Sequence, residues 1–466
     1  MAQSGRQTSL TLRGALVLRD GDLRRADITL SDGTIEAIGA NLPTSGATFD
    51  AGGLIAMPGG VDTHAHIEQR SGMGLMNADT FETATRSAAL GGTTSVISFA
   101  AQAKGERLQD VVADYAARAK RGAMIDHAFH LTLSDPGVPH FETDLRALIA
   151  AGHRSVKVFT TYDIGLNDDQ IERIMSIAGP AGALTCVHAE DDATLKMARN
   201  TLISQGKTLP EHHAAARPRE AERLAVARIC AMAKRLGAPV MIFHVTCAAA
   251  LEEVRTARAA GAPIRAETCP HYLVMTEAVL DRPGILGAKW MCSPPQRDSA
   301  DQDALWRAFE DGTLDLISSD HAPYRFDETG KLRAGTHPPF PDIANGMPGL
   351  ETRLPLLFDA IMTRGRLPRQ AFADLTSANA AAIYGLPGKG RLAVGADADI
   401  VLWDPSATHV YGPNDLHDNV GYNPYEGHRV TGWPVHVFLR GTAIVTDGRL
   451  TTSPGEGRWI NRPERP

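Results

Sequence analysis

Two histidines stand two positions apart in the segment GGVDTHAHIEQ, residues 59–69, just after an apolar run. In a β-strand, residues i and i+2 point to the same side, so His64 and His66 would be directed at one point. Two imidazoles directed at one point suit a transition metal ion. Because the chain contains 17 histidines, such a pair could also arise by chance. The positions of the other polar residues must decide between the two interpretations.

The middle of the chain alternates between apolar, β-branched runs and helical patterns. Leu108, Val111, Val112, Tyr115 and Ala119, for example, follow the spacing of one face of an amphipathic helix. Eight runs are predicted as strands: LIAMPGGVDTHAH, TSVISFA, DHAFHLTL, SVKVFTTY, ALTCVHAE, VMIFHV, PIRAETCP and LDLISSDHA. Eight strands alternating with helices predict an α/β fold, a (β/α)8 TIM-like barrel, in preference to a doubly wound open sheet.

Both ends of the chain are rich in predicted strands and resemble each other. Asp32-Gly33 is a hairpin turn signal in the first of these regions, and Asp447-Gly448 is another in the second. We therefore predict a small β-sandwich domain formed by both chain ends. Its first part would span residues 1–56, the barrel residues 57–385, and the second part with a C-terminal segment residues 386–466.

Polar side chains fall at the ends of the predicted barrel strands. In a barrel of this kind the catalytic groups lie at the carboxyl ends of the strands, so these side chains would meet at one rim. Five strands contribute to the set, which consists of His64, His66, Lys157, His188, His244 and Asp320. A chance distribution would scatter such residues among helices and loops. The pattern therefore favours a metal site.

Lys157 is the unusual member of this set. It could extend its ammonium group from a strand end towards water, or pair with a carboxylate. Beside a metal site, however, a buried lysine tends to lose its proton. The neutral amine can then take up carbon dioxide and form a carbamate, an anion with two oxygens that could bridge two metal ions.

Five motifs that contain these residues, DTHAH, SVKVFTTY, VHAE, FHVT and SSDHAPY, resemble those of the cyclic amidohydrolases, most closely the dihydropyrimidinase/hydantoinase family. The similarity extends through nearly the whole chain, including GGTTSVISFA, ETCPHYL, CSPPQRD and GKGRLAVGADADIVLWDP. It implies an enzyme with two divalent metal ions, usually zinc, on a barrel beside a β-sandwich. By this match one metal would be held by His64, His66, Lys157 and Asp320. The other would be held by Lys157, His188 and His244, with N6-carboxylated Lys157 as the bridge.

The resemblance also implies a mechanism for opening a cyclic amide. Two metal ions would lower the pKa of a shared water to about 7, and the product would be an N-carbamoyl amino acid. Asp320 would accept the proton of the water and pass it to the leaving nitrogen, unless it is only a structural ligand. Tyr162 would stabilise the intermediate, although alone it could be a core aromatic. Main-chain groups at Ser293 and Asn345 would hold the amide edge of the ring, in loops that turn chemistry could also explain.

The residues after His66 bear on the choice of substrate. Dihydroorotases and allantoinases typically have an aromatic residue and an arginine there, and the arginine binds an anionic or ureido group. Here Ile67 and Glu68 take those places, and Glu68 could repel a carboxylate. We therefore expect a neutral cyclic ureide, a 5,6-dihydropyrimidine or a 5-substituted hydantoin. An imidase or another allantoinase-like cyclic amidase is the alternative.

The next part of the loop could line a pocket for an apolar ring substituent or form a lid, with Met73, Leu75 and Met76. A non-catalytic scaffold relative would lack some of the metal ligands, whereas all six positions are filled here. The resemblance further implies a homo-oligomer, a tetramer or a dimer. Three aromatic residues near the C-terminus could form its interface or pack the chain end onto the barrel: Tyr422, Tyr425 and Trp433.

The composition limits the partners and the compartment. The 466 residues are 43% hydrophobic and 22% charged, and the net charge of −7 predicts no nucleic acid or membrane partner. Neither a signal peptide nor a transmembrane run is recognisable. Five cysteines without CxxC spacing are predicted to be reduced, buried thiols of a cytoplasmic protein: Cys186, Cys230, Cys247, Cys269 and Cys292.

Overall fold

The computed structural model describes residues 9–44 and 46–463. Residues 1–8 and 464–466, which belong to the two predicted end regions, lie outside the described residues. In chain order the strands are β1 (Ser9–Arg19), β2 (Asp22–Ser31), β3 (Thr34–Gly39), β4 (Ala47–Asp50), β5 (Ile55–Pro58), β6 (Gly60–Ala65), β7 (Thr93–Ala101), β8 (Asp126–Thr132), β9 (Ser155–Phe159), β10 (Leu184–His188), β11 (Val240–Ile242), β12 (Ile264–Thr268), β13 (Leu316–Ile317), β14 (Ile400–Val410), β15 (Arg429–Leu439), β16 (Thr442–Thr446) and β17 (Arg449–Leu450).

The α-helices follow mostly between the strands of the middle region. They are α1 (Phe81–Leu90), α2 (Leu108–Gly122), α3 (Phe141–Ala150), α4 (Asp168–Ala178), α5 (Asp192–Ser204), α6 (His213–Ala216), α7 (Arg219–Leu236), α8 (Ala248–Ala259), α9 (Pro270–Val274), α10 (Ser299–Glu310), α11 (Arg353–Leu357), α12 (Gln370–Ala373) and α13 (Asn379–Tyr384). No helix in the described ranges is long and apolar enough to cross a membrane.

Strands β6 to β13 form one eight-stranded parallel sheet in chain order, which confirms the predicted (β/α)8 barrel. Helix α2 buries the same five residues that the helical spacing predicted for its apolar face: Leu108, Val111, Val112, Tyr115 and Ala119. Such a face packs on the sheet because burial removes its apolar surface from water.

Single contacts join the first and last strands of the barrel in the described part of the chain. Ala65 pairs with His321 in an isolated bridge. The fully buried guanidinium of Arg353 donates to the main-chain oxygens of Val61 (3.3 Å) and Ile317 (3.0 Å). These contacts hold the two strands together where β13 is only two residues long. They bring the ends of β6 and β13, which carry predicted site residues, close to each other.

The two chain ends together form one β-domain, a nine-stranded sheet, which confirms that the two ends build one domain. Strand β5 pairs with β1 on one side and with β14 on the other, so the N-terminal and C-terminal strands share one sheet. Both Asp-Gly pairs form turns with positive φ angles, at 50° and 83° for Asp32 and Gly33, and at 49° and 70° for Asp447 and Gly448. Positive φ at both central residues matches the twist of a two-residue hairpin. The domain bounds, residues 1–56, 57–385 and 386–466, stay a prediction.

The segment after β17 runs beneath the barrel, at the amino-terminal ends of β8 and β9. The main chain of His127 bonds to Arg458 (2.9 Å) and Ile460 (2.8 Å). Fully buried Arg462 donates to the oxygens of Phe129 (2.6 Å) and Ser155 (2.8 Å). This segment therefore covers the end of the barrel opposite the predicted site.

The aromatic residues near the C-terminus pack within the chain. Tyr422 and Tyr425 are buried at 6% and 2% exposure, and the Trp290 indole donates to the oxygen of Pro424 (2.9 Å). Trp433 is partly buried against the same cluster. Of the two interpretations, packing of the chain end therefore accounts for Tyr422 and Tyr425.

Candidate metal centre

One cavity of about 390 Å³ opens at the carboxyl ends of the barrel strands. Its lining includes all nine residues predicted to bind metal or substrate: His64, His66, Lys157, Tyr162, His188, His244, Ser293, Asp320 and Asn345. The residues come from β6, β9 and β10 and from the segments that follow β6, β9, β11, β12 and β13. The structure thus brings together residues that are up to 281 positions apart (64 and 345).

His64, His66 and Asp320 direct acceptor atoms at one point. Nδ1 of His64 lies 2.8 Å from a carboxylate oxygen of Glu267, and Nδ1 of His66 lies 2.8 Å from Oε1 of Gln69. These oxygens accept hydrogen bonds, so each ring carries its proton on Nδ1 and has a lone pair on Nε2. The two Nε2 atoms lie 3.1 and 3.6 Å from Oδ1 of Asp320. Acceptors this close repel one another unless a cation binds between them, so the donor set fits a metal ion.

Lys157, His188 and His244, the residues predicted to hold a second metal ion, line the same cavity. Nε2 of His188 donates to Glu190 (2.8 Å), which leaves Nδ1 of His188 free to bind a metal. That Nδ1 lies 2.9 Å from Nε2 of His244. Burial lowers the pKa of both histidines below the usual value, so both imidazoles are neutral near pH 7, the form that binds a metal.

Lys157 lies at the bottom of the cavity in an aromatic environment. Its Nζ is fully buried and has no hydrogen-bond partner among residues 9–44 and 46–463. The rings of Phe243, Phe159 and Phe99 lie 4.0, 4.8 and 5.9 Å from it. Burial lowers the pKa of Lys157 to about 7, so a large fraction of the amine is neutral near that pH. A neutral, unpartnered amine beside imidazole ligands fits the predicted carbamate bridge.

Three residues of the site have backbone conformations that side chains other than glycine rarely adopt. The φ angles are +71° for Tyr162, +40° for His244 and +46° for Asp320. Each residue lies just beyond a strand, where this conformation turns the side chain into the cavity. Such strain persists only where the surrounding structure imposes it, and it concentrates at functional sites.

A chain of polar contacts links Tyr162 to His188. Arg217 donates to the hydroxyl oxygen of Tyr162 (3.0 Å) and to buried Glu190 (Nε at 3.1 Å), which also binds His188. Burial alone would raise the pKa of Glu190, but Arg217 and His188 hold it well below the usual range. Because Arg217 donates to the Tyr162 oxygen, the hydroxyl proton is left free to point at a substrate.

Ser293 and Asn345 line the wall of the cavity near the Tyr162 hydroxyl. Oγ of Ser293 and Oδ1 of Asn345 are buried, and neither has a partner with hydrogen-bond geometry in the described part of the chain. Buried polar atoms without a partner are costly, so a ligand that binds at this wall would relieve the cost. The roles predicted for the nine residues stay predictions.

The loop after His66 departs from two expectations. Met73 lines the cavity, whereas Leu75 is buried elsewhere and Met76 is 43% exposed. Glu68 does not face the cavity, because its carboxylate accepts from the main chain of Phe81 (3.2 Å) at the start of α1. The expectation that Glu68 would repel an anionic substrate is therefore wrong.

Four partners of the site were absent from the sequence predictions: Gln69, Glu190 and Glu267, which are buried, and Arg217, which is partly buried. Glu190 lies two residues after His188, and Glu267 is a fully buried carboxylate in strand β12, whose sequence is IRAET. A charged residue in a strand that is predicted to be buried is the signal that could have found Glu267. Arg217 lies in a loop and gives no such signal.

A second group of three carboxylates has the spacing of a metal site, but a lysine ammonium group lies between them. Asp126, Asp397 and Asp399 converge in space. Nζ of Lys389 lies 2.6, 2.8 and 2.9 Å from their oxygens. The ammonium group thus supplies the positive charge that these carboxylates require, and the cluster joins β8 to the end sheet.

Comparisons with known proteins agree with this geometry. The model of the amidohydrolase family matches residues 55–444. A D-hydantoinase of Ralstonia pickettii is 39% identical over 96% of this chain and 97% of its own. A D-phenylhydantoinase of Escherichia coli O139:H28 is 36% identical over 97% and 98% of the two chains. The crystal structure of dihydropyrimidinase from Brevibacillus agri superimposes with a TM-score of 0.94 and 36% identity, covering 98% of this chain and all of that one.

Proposed function

The chain belongs to the amidohydrolase family, in the branch of the hydantoinases and dihydropyrimidinases, and from this premise we propose that it opens neutral cyclic ureides with a pair of divalent metal ions. The observation that carries the proposal is the convergence of four imidazoles, one carboxylate and an unpartnered lysine in one cavity. The substrate would be a 5-substituted hydantoin or a 5,6-dihydropyrimidine, and the product an N-carbamoyl amino acid.

We propose zinc as the metal, since four imidazoles suit it. His64, His66 and Asp320 would hold one ion, and His188 and His244 the other, with carboxylated Lys157 shared by both. When bound, the two ions lower the pKa of a water molecule and polarise the amide carbonyl.

The side chains of the cavity account for the remaining steps. The water attacks the amide carbon and forms a C–O bond, while Asp320 accepts its proton at Oδ1 or Oδ2. Asp320 then delivers that proton to the ring nitrogen as the C–N bond breaks. The Tyr162 hydroxyl donates to the oxygen that becomes negative in the tetrahedral intermediate. Main-chain groups at Ser293 and Asn345 bind the amide edge of the ring and orient its carbonyl.

A neutral substrate is supported by the residues around Tyr162. Arg217, which lines the cavity and contacts Tyr162, is already paired with Glu190. Glu68 stands where related enzymes would place the arginine that binds an anionic group, and it does not line the cavity. A substrate carboxylate at the ring would therefore find no free cation at these two positions, although Lys196 and Arg199 also line the cavity.

The test is ring opening by protein loaded with Zn²⁺, with dihydrouracil, both enantiomers of 5-phenylhydantoin, and succinimide as substrates. Turnover of a hydantoin or of dihydrouracil, lost in Lys157→Ala, would support the proposal. Turnover of succinimide alone would replace it with an imidase. Two bound metal ions without any turnover would move the search to other lactams. No bound metal and no turnover would support a non-catalytic scaffold.

We further propose a reducing cytoplasmic location and a homo-oligomer. The five cysteines are all free and buried, which suits a compartment without disulfide formation. The oligomer rests on the family alone. Light scattering during size-exclusion chromatography would measure a dimer or a tetramer, and a monomeric mass would contradict it.

A further inference from the structure

Lys331 is a fully buried lysine that no step of the proposed reaction uses. Its Nζ donates to the main-chain oxygens of Met291 (3.2 Å) and Ala344 (2.9 Å). Throughout the ranges that the structure describes, no carboxylate pairs with it. Buried Lys389, by contrast, contacts three aspartates.

The two acceptors of Lys331 lie next to the residues that are proposed to hold the ring. Met291 is two residues before Ser293, and Ala344 is directly before Asn345. Ser293, Ala344 and Asn345 line the cavity, but Lys331 does not. Any effect of Lys331 on a substrate must therefore pass through the main chain of these two segments, which we call the ring-binding segments (residues 291–293 and 344–346).

Other contacts leave the ring-binding segments little room to shift. Gly346 donates from its main chain to the same oxygen of Met291 (2.8 Å), and the buried ring of His213 donates to the oxygen of Cys292 (2.8 Å). A Cβ at Gly346 would lie 2.4 Å from the oxygen of Ala322, so this segment packs closely against the loop that carries Asp320. Lys331 adds two further hydrogen bonds at the junction of the two segments.

A lysine is a costly way to fill this position. Burial without a carboxylate partner disfavours the ammonium group and lowers the pKa of Lys331 to about 7. Methionine would fill a similar volume without that cost. The amine, however, has at least two N–H groups in either protonation state, so it can bind both carbonyls throughout the neutral pH range. The hydrogen bonds, and not the charge, are what a replacement would lose.

We propose that Lys331 is a positioning residue that fixes the spacing between the two ring-binding segments. It thereby sets the distance between the main-chain groups that grip the amide edge of the substrate ring. The inference rests on the proposed function, because that function assigns Ser293 and Asn345 to the ring. It goes beyond it by giving a role to a residue that touches neither the substrate nor the metals.

The experiment compares the wild-type holoenzyme with Lys331→Met. Peptide-resolved amide hydrogen exchange should show faster exchange in both ring-binding segments of the variant, including the Gly346 amide. With a hydantoin and with dihydrouracil, KM should rise about tenfold while kcat changes less, since the amide edge is common to both rings. Bound metal, measured by mass spectrometry, should stay equal to that of the wild type.

Ile28→Val is the control, because it removes a buried methylene group in the end sheet, remote from the cavity. It should lower Tm without changing KM or the exchange of the ring-binding segments. If Lys331→Met does not fold, Lys331→Gln retains one donor group and is measured in the same way.

Unchanged exchange in both ring-binding segments, or a KM that is unchanged while only Tm falls, would overturn the proposal. Failure of the proposed function would look different. A wild-type enzyme without turnover removes the kinetic measurement, but the exchange measurement still decides whether Lys331 holds the two segments together.

Discussion

Replacing Arg217 by methionine is expected to lower kcat through its effect on Tyr162. Arg217 donates to the Tyr162 hydroxyl at 3.0 Å and lies over its ring at 5.1 Å. Without the guanidinium, the Tyr162 oxygen no longer accepts a hydrogen bond from Arg217. The hydroxyl proton is then no longer held in a direction that points at the substrate oxygen. His188 keeps its contact with Glu190, so both metal ions should stay bound.

We expect Arg217→Met to change both kcat and the stability of the protein. Removing an oxyanion donor outright costs about 10²–10³ in kcat, and Arg217 only orients one, so we expect a fall of about 10–100-fold. The stability cost is separate. Glu190 has 0% exposure, and a buried carboxylate that loses its partner costs about 3–5 kcal/mol. Adding Glu190→Gln to the variant should recover part of the lost Tm without recovering kcat.

A double-mutant cycle with Tyr162→Phe tests the reasoning. Steady-state kinetics are measured for wild type, for each single variant and for the pair, with metal content and Tm determined for each protein. If Arg217 acts through Tyr162, Arg217→Met should change kcat little in the Tyr162→Phe background. Additive losses in kcat, or loss of metal from Arg217→Met, would refute this coupling.

Three further predictions concern metal, pH and the chain end. Chelation should abolish turnover and lower Tm, and Zn²⁺ with bicarbonate should restore both in the wild type but not in Lys157→Met; unchanged activity after complete metal removal would contradict the metal centre. The lowered pKa of Lys331, about 7, means that the unfolded chain binds this proton more tightly, so stability rises with pH between about 7 and 10. The Tm of Lys331→Met should therefore rise less than that of the wild type across this window, and parallel curves would be inconsistent with a buried, titrating amine. Arg462→Met should cost about 2–4 kcal/mol in the free energy of unfolding, because acceptors beneath β8 and β9 lose their donor, while KM stays unchanged; a Tm equal to that of the wild type would show that the segment contributes no stability.

Local patterns were sufficient to predict much of the architecture. A buried parallel strand reads as a short apolar run and a surface helix as a 3.6-residue period, so the barrel strands and the face of α2 follow from neighbouring residues. The turns at Asp32 and Asp447 follow from the demand for positive φ. The carboxyl ends of parallel strands meet at one rim, so His64, His188 and Asp320 could be expected together before any coordinates.

The contacts that orient those residues could not be predicted from local sequence patterns, because they join residues far apart in the chain. Glu267 meets His64 across 203 positions, and Arg217 meets Tyr162 across 55. Glu68 has a backbone φ angle of +51°, and its carboxylate contacts the start of α1 instead of lining the cavity. Its neighbours in sequence reveal neither feature.

The sequence by itself determined the kinds of element, their order and the chemistry offered at the strand ends, because these depend on residues close along the chain. Only the tertiary structure decided which acceptors lack protons, which lysine lacks a carboxylate, and which carbonyls Lys331 joins. Those properties depend on burial and on distances between distant segments. They arise when the chain closes on itself and water is excluded from the cavity walls.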